Sequence, residues 1–213
     1  SMKVCTIGGM IATNAAGMRS LKYGKMDRWV EELEVIDGNG NKITIGKDKV
    51  RDFCGREGTT GIMTKAKIRL VEKPKEVSLS ILTFENITNL VEKLKELIKN
   101  KNVTSIEYID KITSTLAGFE DRPHLIVEYE SYEGNIKGQD MIEVWEMRAG
   151  LYPLVVQEGY TVIEDPEISV ENIDKFLHWL QKNDIPTYGH ISIGVLHPHF
   201  KENSILIKEM FDI

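Results

Sequence analysis

The alternation of apolar and polar positions changes character at Pro74. Before it, Val30 to Ile36 alternates imperfectly through Val30, Leu33 and Val35. Asp37-Gly38-Asn39-Gly40 then signals a turn and Lys42 to Ile45 returns, so the pattern predicts a hairpin. Gly46 to Asp52 is polar and is expected to be exposed, and Lys65 to Val71 alternates as another strand. After Pro74, Val77, Leu79 and Ile81 mark a strand. Ile87, Leu90, Val91, Leu94, Leu97 and Ile98 recur at helical spacing behind Asn86 as N-cap. Ile106 to Ile109 and Leu125 to Tyr129 are predicted strands, with His124 in a structural position after Pro123. Ile142 to Gln157 is predicted helical around Trp145, Arg148 and Tyr152, bent or restarted by Pro153. Ser169 would cap a helix carrying Ile173, Phe176, Leu177 and Leu180 on one face, with His178 beside that stripe in a packing or surface role. A last strand begins near Tyr188. The order β-α-β, then α-β-α-β, predicts an α+β class with a ferredoxin-like antiparallel sheet and helices on one face.

A chain of 213 residues has ample material for a core, and a formal charge of -6 argues against nucleic acid as a main partner. Lys and Glu are interspersed, as on solvated faces. Cys5 and Cys54 form no C-x-x-C pair and are expected to be reduced, buried thiols of a cytoplasmic protein. No apolar run reaches the length of a membrane span and no signal peptide is visible. Ser1 before Met2 has the look of a residue left by tag cleavage.

Two glycine-rich segments carry the first candidate chemistry. Thr6-Ile7-Gly8-Gly9-Met10-Ile11-Ala12-Thr13-Asn14-Ala15-Ala16-Gly17 is small or hydroxylated at almost every position. Bare N–H groups in such a loop can cradle an anion, and Thr13 and Asn14 add side-chain hydrogen bonds. A turn that merely packs tightly explains the glycines equally well. Gly55-Arg56-Glu57-Gly58-Thr59-Thr60-Gly61-Ile62-Met63-Thr64 repeats the composition ahead of the basic strand.

The second candidate is a histidine cluster. His190, His197 and His199 fall within ten residues, and neutral imidazole is a common metal ligand. His197 and His199 share one face of a strand, whereas the odd spacing of His190 and His197 puts those two on opposite faces of a regular strand. They converge only if the chain bulges or turns between them, and Gly194 is where that can happen. A strand end with surface histidines is the alternative.

The order T-I-G-G-x-I-A-T-N, then Lys22-Tyr23-Gly24, then G-R-E-G-T-T-G-I-M-T with a basic strand and K-P, then Trp145-x-x-Arg148 and Gly189-His190 through His197, resembles the FAD-linked oxidases. That family includes the glycolate oxidase flavin subunit and flavin-dependent D-lactate dehydrogenase. The resemblance implies the C-terminal half of a PCMH-type FAD-binding domain over residues 1–74, followed by a ferredoxin-like substrate domain over 75–213. It implies an FAD-dependent oxidoreductase of small D-2-hydroxy acids, passing hydride to flavin. Gly8, Gly9, Thr13, Asn14, Gly17, Gly58, Thr59, Gly61 and Ile62 would meet FAD, mainly through backbone, and Lys22 and Tyr23 can line the flavin edge. Arg148 would hold the substrate carboxylate, with a helix-surface salt bridge as the alternative. His190 and His197 would hold a divalent metal, zinc or manganese, and His199 would be the base or a third ligand.

Some positions depart from the family pattern. Relatives carry G-H-x-G-D-G-N-x-H where this chain has Ser192, Ile193 and Val195, and Met10 replaces the usual Asn. An upstream glycine-rich phosphate loop and a final E-H-G triplet are also absent, so the expectation is a chain truncated at both ends. FAD would then bind weakly, unless a homodimer or a partner chain supplies the rest. An inactive or split-subunit paralogue acting as a binding module is the competing expectation, and a metal-binding module without flavin is a third.

Overall fold

A computed structural model of the chain describes residues 5–213; Ser1 and Met2, on which the tag reading rests, lie outside the described residues. The chain forms two compact units, Ser1–Lys73 and Pro74–Ile213.

The first unit opens with α1 (Ile7–Ala12) and α2 (Ser20–Tyr23), then builds β1 (Val30–Ile36), β2 (Lys42–Gly46) and β3 (Ile62–Ile68) into a sheet of order β2-β1-β3. The hairpin is the predicted one, with Leu33 opposite Ile45 and Val35 opposite Ile43. Asp37 closes it, its Oδ1 accepting from the amides of Asn39 and Asn41 at 2.9 and 2.8 Å. Alternation puts Leu33 and Val35 into a small core with Ile11, Ile45, Val50 and Cys54, and the register shift between Val30 and Glu32 brings Val30 to the same side. The polar stretch after β2 is a 3-10 turn, Lys47–Asp52, that buries Val50 rather than lying wholly exposed. Cys54 is buried as expected, but Cys5 is exposed; both are free thiols.

The second unit contains β4 (Ser78–Thr83), α3 (Ile87–Leu97), β5 (Val103–Ile109), α4 (Lys111–Leu116) and β6 (His124–Tyr129). There follow α5 (Gly138–Ala149), α6 (Leu151–Gln157), β7 (Val162–Ile163), α7 (Ile173–Lys182), β8 (Thr187–His190), β9 (Val195–Phe200) and α8 (Leu206–Met210). The sheet order is β4-β6-β5-β8-β9-β7, antiparallel at every pairing. β6 returns between β4 and β5, and the β8–β9 hairpin extends the sheet from β5. The class is α+β.

Helices cover both faces of this sheet, not one. Every residue of β5 and β6 is buried, which a one-sided layer does not produce. Leu151 and Val155 of α6 pack on Leu79, Ile109, Ile126 and Tyr188. On the opposite face, Tyr108 shares a small cavity lining with Ile87 of α3 and Leu180 of α7.

Caps explain several boundaries. Asn86 accepts from the amide of Asn89 at 2.9 Å and starts α3 as predicted. Asp110 does the same for the unanticipated α4, accepting from the amides of Ile112 and Thr113. The long predicted helix divides at Gly150, not at Pro153. Pro153 sits in the first turn of α6, where an amide has no intrahelical acceptor and none is missed. α7 starts at Ile173 rather than directly behind Ser169, after a turn in which the Asn172 amide bonds the Ser169 carbonyl at 3.0 Å. Among the described residues, no helix is long and apolar enough to cross a membrane.

Candidate functional site

In the first unit the two glycine-rich segments meet. The amides of Gly55 and Glu57 bond the carbonyls of Ile11 and Ala12 at 3.1 and 2.9 Å. The first segment is not an open loop. Thr6 caps α1 by accepting from the Gly9 amide at 3.0 Å, and burial of Ile11 ties the helix to the core despite its glycines. Thr13 donates its hydroxyl to the Gly9 carbonyl at 3.1 Å, and Asn14 Oδ1 accepts from the Asp27 amide at 2.9 Å, so both side chains already serve the fold.

The glycines divide by physical reason. Gly61, at φ +146, would place a Cβ 2.5 Å from Val35 Cγ1 and 2.9 Å from the Ile36 carbonyl oxygen, so packing demands it. Gly8 and Gly17 have open space at the Cβ position and no positive φ, so nothing in the fold requires glycine there. Both are exposed, as are Gly9, Thr13, Gly58, Thr59 and Ile62. This is a surface where a ligand can come close to main chain, the cradle that extra Cβ atoms would fill. Tyr23 instead packs its ring against Trp29 at 5.9 Å.

In the second unit the β8–β9 hairpin solves the spacing problem of the histidines. A 3-10 turn, Ile191–Ile193, and Gly194 at φ +71 reverse the chain, so Tyr188 lies opposite His197 and His190 opposite Val195. A Cβ on Gly194 would sit 1.7 Å from the Ile168 carbonyl oxygen, so only glycine fits. The rings of His190 and His197 come to 5.6 Å, edge to face. Tyr188 lies 5.5 Å from His197 and 5.3 Å from His199.

The pleat puts Glu107 of β5 on the same face, beside His190. Its Oε1 meets His190 Nδ1 at 2.6 Å, and its Oε2 meets Arg148 Nε at 2.8 Å and Nη2 at 2.7 Å. Burial alone would push the Glu107 carboxyl up; Arg148 and His190 outweigh it and hold the group below the usual carboxylate range. Arg148 is itself buried and stacks over Tyr188 at 4.6 Å, so it is no helix-surface salt bridge. His197 Nδ1 meets Asp165 Oδ1 at 2.5 Å. Burial pushes the His197 imidazole down, opposed by Asp165. His199 is fully buried, not a solvent-exposed strand end, and burial pushes its imidazole down too. Its Nδ1 faces the Tyr160 carbonyl at 3.4 Å and its Nε2 is buried without a partner.

Glu107, Asp165 and Tyr188 had not been singled out from sequence. The single charge of its strand, Glu107 within Ile106-Glu107-Tyr108-Ile109, was the available signal; Asp165 gave none.

The site's fit to a divalent metal is partial. Each of His190 and His197 has a carboxylate on Nδ1, the arrangement that orients an imidazole toward a metal at Nε2. Among the described residues, however, no group of three or more His, Cys, Asp or Glu side chains is placed to hold an ion.

The first unit thus presents an exposed glycine-rich surface, and the second a buried guanidinium in one site with two facing imidazoles. The FAD binding domain family matches residues 1–46. The glycolate oxidase subunit GlcD of Bacillus subtilis is 30% identical over 93% of this chain and 52% of its own length. A D-lactate dehydrogenase of Archaeoglobus fulgidus is 25% identical, with 92% and 54% covered, and a D-2-hydroxyglutarate dehydrogenase of Stutzerimonas stutzeri 24% identical, with 96% and 48% covered. A solved alkyldihydroxyacetonephosphate synthase superposes with a TM-score of 0.68 at 16% identity, covering 96% of this chain and 52% of that one. Over nearly its whole length the chain is similar to proteins of the FAD-linked oxidase family, and its fold is a PCMH-type FAD-binding fold followed by an antiparallel-sheet domain. It spans about half the length of the curated relatives it matches.

Proposed function

We propose that this chain carries cofactor and substrate contacts of an FAD-dependent oxidoreductase acting on small D-2-hydroxy acids of the lactate and glycolate type. Residues 1–74 would be the FAD-binding part and 75–213 the substrate part. The observation that carries the reading is one guanidinium, Arg148, in the same site as His190 and His197, whose carboxylate partners sit on Nδ1 and leave Nε2 facing away from them. A 2-hydroxy acid presents a carboxylate next to a hydroxyl, the two groups such a site serves.

Arg148 spends Nε and Nη2 on Glu107, which leaves Nη1 for a substrate carboxylate. His199 is the proton acceptor we assign, because its depressed basicity keeps it neutral and its Nε2 is unpartnered. His199 is fully buried, with the Tyr152 ring 5.9 Å away, so reaching it requires the site to open. His190 and His197 would hold a divalent metal, zinc or manganese, in two of its positions; such an ion would lower the pKa of the substrate hydroxyl. Gly8, Gly9, Thr13, Asn14, Gly17, Gly58, Thr59, Gly61 and Ile62 would form the FAD contacts, Thr13 and Asn14 through backbone because their side chains are engaged. Bound FAD would supply the hydride acceptor.

The test is an FAD titration of the full chain, read by the visible spectrum after gel filtration, with Gly17→Val beside the wild type. A retained flavin band that Gly17→Val weakens tenfold or more supports the reading, and D-lactate and glycolate would then be assayed for flavin bleaching. The elution volume reports whether a second copy completes the cofactor contacts. A colourless wild type, or a variant that binds equally well, overturns the assignment of these glycines.

A further inference from the structure

Glu107 lies in the interior of β5 with no exposed surface, yet both of its carboxylate oxygens are engaged. Its two oxygens are divided between two partners. Oε1 takes His190 Nδ1 and Oε2 takes Arg148 Nε and Nη2. A guanidinium only donates, and a carboxylate only accepts. His190 must therefore present Nδ1–H to Glu107, and in the neutral ring that leaves the lone pair on Nε2, turned away from the carboxylate.

We propose that Glu107 is the positioning residue of this site, one carboxylate that clamps the Arg148 guanidinium and fixes His190 in the Nδ1–H tautomer. It touches neither substrate nor cofactor. It acts by deciding which nitrogen of His190 can accept a proton or bind an electrophile. Asp165 does the same for His197 from the solvent side, its side chain 65% exposed where that of Glu107 is 0% exposed. Solvent can stand in for Asp165 but does not reach Glu107.

The isosteric change Glu107→Gln makes the inference testable. An amide has one accepting oxygen and one donating nitrogen. Arg148 cannot accept, so the amide oxygen must face it and the amide nitrogen must face His190. His190 Nδ1 is then forced to accept, and the ring proton moves to Nε2. The reverse orientation sets two donors of a buried guanidinium against an amide N–H, the costlier outcome. This rests on the geometry of the site and not on the activity proposed for it, so its failure leaves the flavin test untouched.

The experiment is long-range ¹⁵N–¹H NMR of the imidazoles in the full chain, in alkaline buffer without added metal, with a backbone spectrum to confirm folding. In the wild type, His190 is expected to show Nδ1 protonated, with a proton shifted far downfield by its carboxylate partner. In Glu107→Gln the protonated and lone-pair nitrogen signals of His190 should exchange places and the downfield proton should vanish, while His197 keeps its pattern. Asp165→Asn should disturb His197 and leave His190 unmoved. A purely structural Glu107 predicts no exchange. Unchanged His190 signals in Glu107→Gln overturn the proposal. So does a wild-type His190 protonated on Nε2, a result that stands even if Glu107→Gln does not fold.

Discussion

Replacing Arg148 by methionine keeps an unbranched stem and removes the charge. It strands the Glu107 carboxylate, whose side chain is 0% exposed, next to a guanidinium site that was itself 11% exposed. Breaking a buried pair from one side costs about 3–5 kcal/mol, because the remaining charge is desolvated without compensation. His190 still reaches Oε1 at 2.6 Å and can share its proton, so the expectation is the low end, about 3 kcal/mol. That is a large part of an ordinary domain's stability of about 5–15 kcal/mol. Urea unfolding measures it, followed by Trp145 and Trp179 fluorescence in a Trp29→Phe background so that the first unit stays silent. The pH dependence is diagnostic. In the wild type the Glu107 carboxyl is held below its ordinary range. Its stabilising contribution is therefore present above the unfolded-state pKa and lost as pH falls through the folded value. In Arg148→Met, burial acts with less opposition and the group takes up a proton more readily. The gap between wild type and variant should be widest near neutrality and narrow in acid. The double variant Glu107→Gln with Arg148→Met should recover part of the loss, since no charge is left buried. A cost below about 1 kcal/mol, or one that does not change with pH, would refute the reasoning.

Three other substitutions probe the frame of each unit. Gly194→Ala puts a Cβ 1.7 Å from the Ile168 carbonyl oxygen at φ +71, and the β8–β9 turn should lose more than about 3 kcal/mol, read as a fall in urea midpoint and loss of the His190 downfield proton. Gly61→Ala drives a Cβ to 2.5 Å from Val35 Cγ1 at φ +146 and should cost the first unit about 1–3 kcal/mol, read by Trp29 fluorescence; an unchanged midpoint would show that β1 yields freely. Burial pushes the Asp110 carboxyl up to about 6, against the bonds it accepts from Thr113, Thr187 and Ile112. The sign is opposite to that of Glu107: this contribution is complete below the unfolded-state pKa and is lost as pH rises through about 6. Asp110→Asn should flatten the slope of stability between mildly acid and neutral pH, and a slope that survives the change assigns it to another group.

The elements legible in sequence were those that follow from local chemistry. The Asp37-Gly38-Asn39-Gly40 turn and the Asn86 cap each contain their own hydrogen-bond donors and acceptors, so the structure could only agree or override them, and it agreed. The helix over Ile7–Ala12 was hidden because two adjacent glycines argue against it; Thr6 and buried Ile11, a contact made at long range, hold it instead. α4 was hidden because its cap, Asp110, also bonds the Thr187 amide 77 residues away and belongs as much to β8 as to its own helix. At the candidate site the spacing let His190 and His197 converge only with a bulge or turn, for which Gly194 was the place, and the chain turns there. Their carboxylate partners lie 83 and 32 residues away, set by strand register rather than by any motif. Glu107 drew no reading of its own inside the predicted strand Ile106 to Ile109, because a lone charge in a strand is ordinary where one face is wet; here both faces are covered.

That pairing has a consequence for how the site would hold an anion. The charge of Arg148 is cancelled by Glu107, and burial keeps His197 and His199 toward their neutral forms. Asp165 adds a further carboxylate at the rim. The site therefore carries no surplus positive charge with which to draw in a carboxylate from a distance. An anion would be held by short directional bonds, from Arg148 Nη1 and from whatever occupies the Nε2 positions, in surroundings that ions from solution penetrate poorly. Its affinity should then change less than about twofold between low and physiological ionic strength, where a site working by net field would weaken several-fold. Titration of the full chain with D-lactate at two salt concentrations, followed through the His190 and His197 resonances, measures this. A steep salt dependence would mean that Glu107 does not neutralise Arg148 in solution, and the division of its two oxygens would have to be abandoned.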